Sequence, residues 1–151
     1  MSHFSVAADG IRVSLSTEER AFLADVLPFL ATVGMPDDDP AAARLQPPVY
    51  LDDEEANEEW WRFMESELAQ SRREDRELFR RVVESEEGAV VDREAADAFL
   101  RVVNEARLAL AARLGVEVEG DHDRLPPDSR QVLDYLGWVL EELTEVLSLT
   151  L

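Results

Sequence analysis

Cysteine and lysine are both absent from the 151 residues of the sequence. Without cysteine the chain cannot form disulfides, thiolate metal sites, a thiol nucleophile or a thiol-based redox sensor. Without lysine it cannot form a lysine Schiff base, and arginine supplies all 15 of its strongly basic side chains. Its six glycines build no phosphate loop, nucleophile elbow or dinucleotide-binding fingerprint. We therefore expect a protein that is not an enzyme and uses no cofactor.

Long apolar runs and a basic, apolar leader are also missing from the sequence. A membrane span needs about 18 apolar residues, so we expect a cytoplasmic protein that makes no contact with a membrane. The net charge of −19 should repel the phosphate backbone, so we expect no direct binding to nucleic acid. An acidic surface of this kind suits solubility or docking to a basic protein partner.

What is present indicates one folded unit. Apolar residues make up 46% of a chain whose length is usual for a domain, so residues 1–151 should fold as a single helical domain. The pattern predicts a mainly α fold, a bundle-like domain of four to five helices with a small N-terminal β-hairpin. The hairpin is predicted at residues 3–15, and an acidic, proline-rich loop at residues 35–53.

Local signals place the first elements. The hairpin should turn at Asp9-Gly10, a pair that favours the positive φ angles of a type I′ turn. Ser16, with a glutamate three residues later, forms a capping box and opens a helix that runs to Gly34. Pro28 should kink that helix.

Three further helical regions follow, with one helical turn predicted inside the loop at residues 41–45. Residues 58–85 form either one long helix or two helices that meet near Ser71. Asp92 caps the next helix, which Gly115 ends, and Pro126-Pro127 precede the last. The predicted core consists of Phe22, Leu27, Phe99, Val103, Leu110, Leu136, Val139 and Leu143.

Acidic runs and histidines are the candidates for chemistry. The runs at residues 37–39 and 52–55 could chelate a divalent cation, but they lack calcium-loop spacing and favour a solvated loop. The two histidines, His3 and His122, belong to no metal-binding motif, although Asp121-His122-Asp123 could act as a weak ligand set or acid–base group. We therefore predict no catalytic, cofactor or metal site, and a hydrolase is only a remote alternative.

The candidate partner-binding residues are aromatic and basic side chains on helices. Neighbouring tryptophans on one helix point about 100° apart, so one of Trp60 and Trp61 should be partly exposed and could enter an interface. The arginines at four-residue spacing could form a docking face, or could pair with the glutamates and aspartate among them. On the last helix, Gly137 would allow another backbone to approach closely, within the fold or across a dimer. The complete predicted set is Trp60, Trp61, Arg72, Arg76, Arg80, Tyr135 and Trp138.

Three segments carry a resemblance to a known family. They are Arg44-Leu45-Gln46-Pro47-Pro48-Val49-Tyr50, residues 104–115 (NEARLALAARLG) and Asp134-Tyr135-Leu136-Gly137-Trp138. In order and spacing along nearly the whole chain, the sequence resembles an actinobacterial family of formerly unknown function that includes the actinomycete oxidative stress regulator.

The resemblance implies a regulator that partners a stress sigma factor and promotes expression of cysteine-biosynthesis genes. Some members use an N-terminal Cys-x-x-x-Cys redox switch, but this sequence has no cysteine, so that switch cannot operate here. We therefore expect a transcription-associated regulator that works through a protein partner. The typical gene neighbourhood of the family leaves open an adaptor or scaffold in regulated proteolysis. Because the last helix is apolar over a broad arc and two-fold pairing is common, we also expect a homodimer.

Overall fold

The computed structural model describes residues 3–35, 38–46 and 52–150, and these residues are mainly α-helical with one small antiparallel sheet. The predicted fold class is therefore confirmed. If α1 and α2 are counted as one kinked unit, the described residues hold five helical units. The elements in chain order are β1 (Phe4–Ala7), β2 (Gly10–Val13), α1 (Thr17–Ala24), α2 (Val26–Ala31), α3 (Pro40–Leu45), α4 (Glu54–Glu84), β3 (Val90–Val91), α5 (Arg93–Arg113), a 3-10 turn (His122–Arg124) and α6 (Pro127–Ser148).

The N-terminal hairpin forms as predicted, but its turn lies one residue earlier. Ala7 pairs with Gly10, so the two loop residues are Ala8 and Asp9. No described residue other than glycine has a positive φ, which excludes the predicted type I′ turn. Gly10 has a different role, because a Cβ there would lie 2.1 Å from the carbonyl oxygen of Val91. The glycine lets a third strand approach closely.

That third strand, β3, is not predicted from the sequence. Its two residues pair with Ile11 and Arg12 of β2, and the Val13 amide donates to the carbonyl of Ala89 at 2.8 Å. A strand of two residues is too short to show an alternating pattern, so only the tertiary structure reveals it.

The predicted helix between Ser16 and Gly34 is interrupted at Asp25, three residues before Pro28. Ser16 caps α1 as predicted, accepting from the Glu19 amide at 3.1 Å. Proline cannot donate to the carbonyl four residues earlier and its ring clashes with it, so the break falls one turn before Pro28. Gly34 ends the unit with φ of 86°.

Residues 58–85 are predicted to form either one helix or two. The structure has one continuous helix of 31 residues, α4, over nearly all of this stretch. The short α3 contains the single turn predicted within the proline-rich loop, and residues 47–51 of that loop lie outside the described part of the chain. The cap predicted for α5 is confirmed, because Asp92 accepts from the Ala95 amide at 2.8 Å. Of the two prolines predicted to precede the last helix, Pro126 does so and Pro127 is the first residue of α6.

The core lies where α5 packs against α4, α6 and the sheet. Phe99 is at its centre, stacked on Phe79 with ring centroids 5.0 Å apart and in contact with Phe4 at 5.7 Å. Five of the eight predicted core residues are buried, namely Phe99, Val103, Leu136, Val139 and Leu143. The other three are only partly buried against that core, namely Phe22, Leu27 and Leu110.

Candidate partner-binding surfaces

The first half of α4 presents an apolar stripe that the described residues do not bury. We call residues 54–68 the α4 arm. None of them is buried, and the next residue of the helix that is buried is Asp75. Phe63 is 83% exposed. A stripe at helical spacing beside it is only partly covered, and consists of Trp60, Trp61, Met64 and Leu68.

The α4 arm is strongly acidic around this stripe. It carries six glutamates against the single Arg62. Asp53 caps its start by accepting from the Ala56 amide at 2.9 Å, and Glu54 and Glu55 occupy the first turn, where carboxylates stabilise a helix. The sequence therefore supports the helix locally, while no residue of its apolar stripe is buried in the core.

The tryptophan pair is arranged as the helix geometry requires. Trp60 and Trp61 meet edge to face, with ring centroids 4.7 Å apart and planes at 89°. Both are partly exposed, and neither belongs to the core. Aromatic side chains held in this way are typical anchors of protein interfaces, because they offer a large area at a small entropic cost.

The arginines of α4 do not form one free docking face. Arg80 pairs with Glu77 at 2.9 Å along the helix, as the pairing alternative predicts. Arg76 instead approaches Glu105 of α5 at 3.9 Å. Arg72 is partly buried and makes no ion pair with any described residue.

The neighbouring aspartate anchors the second half of α4. Asp75 is buried and accepts two hydrogen bonds of 2.8 Å from Arg101 of α5. The same hydrogen bonds raise the pKa of Arg101. Asp75 therefore connects α4 to α5 and does not pair with an arginine of its own helix.

A groove of about 640 Å³ lies between α5, α6 and the segment that joins them. Trp138 is 51% exposed and forms part of its wall. Arg107 lies over Gly137, where an added Cβ would be 3.6 Å from its Nε atom. The group near Gly137 in the described chain is thus a side chain at ordinary contact distance, and the predicted close approach of a backbone within the fold is wrong.

Tyr135 lies on the opposite side of α6 from this groove and supports the core. Its ring meets Phe22 edge to face at 5.2 Å, and its hydroxyl donates to Glu19 Oε2 at 3.1 Å. Burial, followed by the nearby Glu19 charge, raises the pKa of Tyr135. The aromatic candidates of the last helix therefore separate, since Trp138 is exposed and Tyr135 is part of a hydrogen-bond network.

His3 is a buried polar centre that sequence reasoning missed. Its ring nitrogens lie 2.9 Å from Glu19 Oε1 and 2.8 Å from Glu142 Oε2, and its own amide donates to Glu142 Oε1 at 2.5 Å. The His3 ring also meets Trp138 edge to face at 4.7 Å. This cluster ties the start of β1 to α1 and α6, which are far apart in the sequence.

Asp39 forms a second polar clamp, in the acidic run that was a candidate metal site. Its carboxylate accepts from Arg113 at 2.7 and 3.1 Å, from the Gly34 amide at 2.9 Å and from the Ala41 amide at 3.0 Å. Arg113 also donates to the carbonyl of Thr32. The Arg113 hydrogen bonds, followed by that from Gly34, hold the pKa of Asp39 well below its ordinary value. The aspartate caps α3 and joins it to α2 and α5.

Of the remaining acid–base candidates, His122 lies near Asp123, with 3.6 Å between His122 Nδ1 and Asp123 Oδ1. His122 Nε2 lies 2.7 Å from Asp134, whereas Asp121 accepts from the amides of Glu117 and Val118, which lower its pKa. Across residues 3–35, 38–46 and 52–150, no group of three or more acidic or histidine side chains is arranged to hold a metal ion. Within the same residues, no helix is both long and apolar enough to cross a membrane.

Fold and surfaces define a mainly α-helical protein with two aromatic-bearing outer faces, the α4 arm and the α5–α6 groove. The family described as a domain of unknown function, DUF2017, matches residues 1–147, and the chain belongs to that family. Neither the curated proteins nor the solved structures contain a match to this chain.

Described residues from each of the three segments that carry the resemblance line the α5–α6 groove. Arg44 comes from the first segment and donates to the carbonyl of Val116 at 3.3 Å. The second and third segments supply six of the other thirteen wall residues, namely Arg107, Leu108, Ala111, Asp134, Gly137 and Trp138. Arg44 is 63 residues from Arg107 and 90 residues from Asp134 in sequence, yet all three line the same groove.

Proposed function

We propose that the protein is a non-enzymatic, transcription-associated regulator that acts through protein contacts in the cytoplasm. Its partner in this proposal is a stress sigma factor or RNA polymerase, and its targets are oxidative stress and cysteine-biosynthesis genes. The resemblance suggests this partner class. The observation that carries the protein-binding role is the α4 arm, with Phe63 83% exposed beside a stripe that contains Trp60 and Trp61.

Charge supports a basic partner at the arm. Six glutamates surround the apolar stripe and only Arg62 opposes them, so a partner segment with apolar and basic side chains would satisfy both the stripe and its rim. A second copy of this chain would bring another six glutamates to the same place and would be repelled. The arm is therefore proposed as a surface for a different protein.

Two further features agree with a role in binding rather than catalysis. Three of the acidic and histidine side chains with short contacts, His3, Asp39 and Asp75, serve as caps and clamps that connect separate elements. The net charge of −19 opposes direct contact with DNA or RNA. In this proposal the regulator therefore acts on its partner without a cofactor and without a thiol switch.

Affinity purification from the native cell, before and after peroxide treatment, tests the proposal. The full chain should recover a sigma factor or RNA polymerase, identified by mass spectrometry. The double variant Trp60→Ala, Phe63→Ser should lose about tenfold or more of that recovery, because aromatic anchors carry much of an interface's binding energy. A matched control, Leu149→Ser, removes an apolar side chain that is 71% exposed outside the arm and outside the groove, and it should bind normally.

Recovery of neither protein would refute the proposed partner, and equal recovery by both variants would refute the arm as its site. Recovery of a protease or its substrates in place of the transcription machinery would favour the alternative of an adaptor in regulated proteolysis. The homodimer stays a prediction that light scattering can test. The apolar arc of α6 does not support it, since Leu136, Val139 and Leu143 are buried within the chain.

A further inference from the structure

A pocket of about 430 Å³ lies where the middle of α4 passes α2 and α3. One side is apolar and the other is charged. Six apolar side chains, small and medium in size, form the apolar side: Leu30, Ala31, Val33, Ala42, Leu45 and Ala69. The charged side consists of Arg72, Arg73, Arg76 and Glu105. Three guanidinium groups against one carboxylate give this place a positive charge in an otherwise acidic protein.

The charged side has hydrogen-bonding capacity that the described residues do not use. Neither Arg72 nor Arg73 makes a hydrogen bond or an ion pair within them. The Nε atom of Arg76 and the Oε2 atom of Glu105 are buried without a hydrogen-bond partner, and the two side chains approach only to 3.9 Å. Buried polar groups are rarely left without partners in folded proteins. Donors for an anion and an acceptor for a cation thus lie beside one another.

Burial disfavours the ionised form of Glu105. Burial raises the pKa of Glu105, and the charges of Arg72 and Arg76 counteract that rise. A ligand that brought its own positive group to Glu105 would favour the ionised carboxylate, while its negative group would occupy the arginines.

From this arrangement we infer that the pocket is a binding site for a free α-amino acid with an apolar side chain. The ligand's carboxylate contacts the guanidinium groups of Arg72, Arg73 and Arg76, its ammonium group contacts Glu105, and its side chain lies against Leu30, Val33 and Leu45. A simple anion would leave Glu105 and the apolar side unused, and an uncharged apolar molecule would leave the arginines unused. The inference does not depend on the proposed protein partner.

Calorimetric titration of the full chain with L-leucine tests the inference. Two analogues that each lack one charged group serve as ligand controls: 4-methylpentanoate has no ammonium group and leucinamide has no carboxylate. We expect saturable binding of L-leucine and at least tenfold weaker binding of each analogue. Since a ligand that binds the native state stabilises it, L-leucine should also raise the melting temperature, and the rise should continue with the logarithm of its concentration above the dissociation constant.

Two matched double variants locate the site. Arg72→Gln, Arg76→Gln removes pocket arginines and should weaken L-leucine binding at least tenfold. Arg80→Gln, Arg81→Gln removes two arginines that pair with Glu77 on the same helix, and it should bind L-leucine like the natural sequence. Circular dichroism verifies that both variants are folded, and Glu105→Gln provides an independent second variant that should also bind weakly.

Three results would overturn the inference. They are the absence of saturable L-leucine binding, equal binding of either analogue, and equal weakening by the two arginine pairs. None of them bears on the α4 arm, so the proposed partner and the proposed ligand can fail separately.

Discussion

The two halves of α4 share one unbroken helix but meet opposite surroundings. In the second half, Phe79, Val82 and Val83 are buried in the core, and Asp75 is held by Arg101. In the α4 arm, the described residues bury none of the aromatic or aliphatic side chains. The continuity of the helix therefore depends on local hydrogen bonds and propensity, while stability comes from the half that packs against α5. An apolar stripe without a packing role in the described chain is the expected form of a binding surface.

The variant with the largest expected effect on stability is Phe79→Ala, in the packed half of α4. Phe79 is 1% exposed and stacks on Phe99, so its removal leaves a cavity in the core. We expect the free energy of unfolding to fall by about 3–5 kcal/mol, measured by urea denaturation. A loss below about 1 kcal/mol would show that the packed half of α4 is not the anchor of the helix.

A second test concerns Asp39, whose carboxylate joins α3 to α2 and α5 in the packed part of the chain. The pKa of Asp39 is depressed in the folded chain, so the unfolded chain takes up this proton first as the pH falls. The stabilisation is therefore complete well above 3.8, the ordinary pKa, and is lost progressively below it. Asp39→Asn should lower the melting temperature by several degrees at pH 7, and the gap should narrow at pH 3. A gap that stays constant between these pH values would contradict the assigned role.

A smaller effect is expected for Asp75→Asn, which weakens the link between α4 and α5. The carboxylate is buried, but Arg101 is 55% exposed, so solvent screens part of the interaction. We expect a loss of about 1–2 kcal/mol in urea denaturation. The matched change Glu67→Gln, in the arm of the same helix, should have no measurable effect. If both variants lost the same free energy of unfolding, the two halves of α4 would not differ in their contribution to stability.

The smallest expected effect is that of Phe63→Ser in the arm itself. Because this side chain is already 83% exposed, its removal should change the free energy of unfolding by no more than about 0.5 kcal/mol. The same variant in a partner-binding assay should show a clear loss. A large loss of stability would mean that the chain itself covers Phe63, and the arm would then no longer be a candidate docking surface.

Much of the fold could be predicted because its signals are local. Ser16 and Asp92 cap helices as their positions suggest, and Phe99, Val103 and Val139 recur at helical spacing and are buried. The candidate surfaces were predicted only in part. The tryptophan pair could be recognised as neighbours that cannot share one face, but nothing in the sequence distinguishes the exposed Trp138 from the networked Tyr135.

By itself the sequence determined the absence of disulfides and thiol chemistry, the helical periodicity and the helix caps. These features depend on residue identity and on neighbours within about four positions. Only the tertiary structure decided the pairing of β3 with β2, the enclosure of His3 by Glu19 and Glu142, and which half of α4 packs against α5. Those contacts join residues that are distant in the chain, so their energies depend on where the chain brings each side chain in space. For the same physical reason, the sequence alone could not show that residues from segments 44–50, 104–115 and 134–138 line one groove.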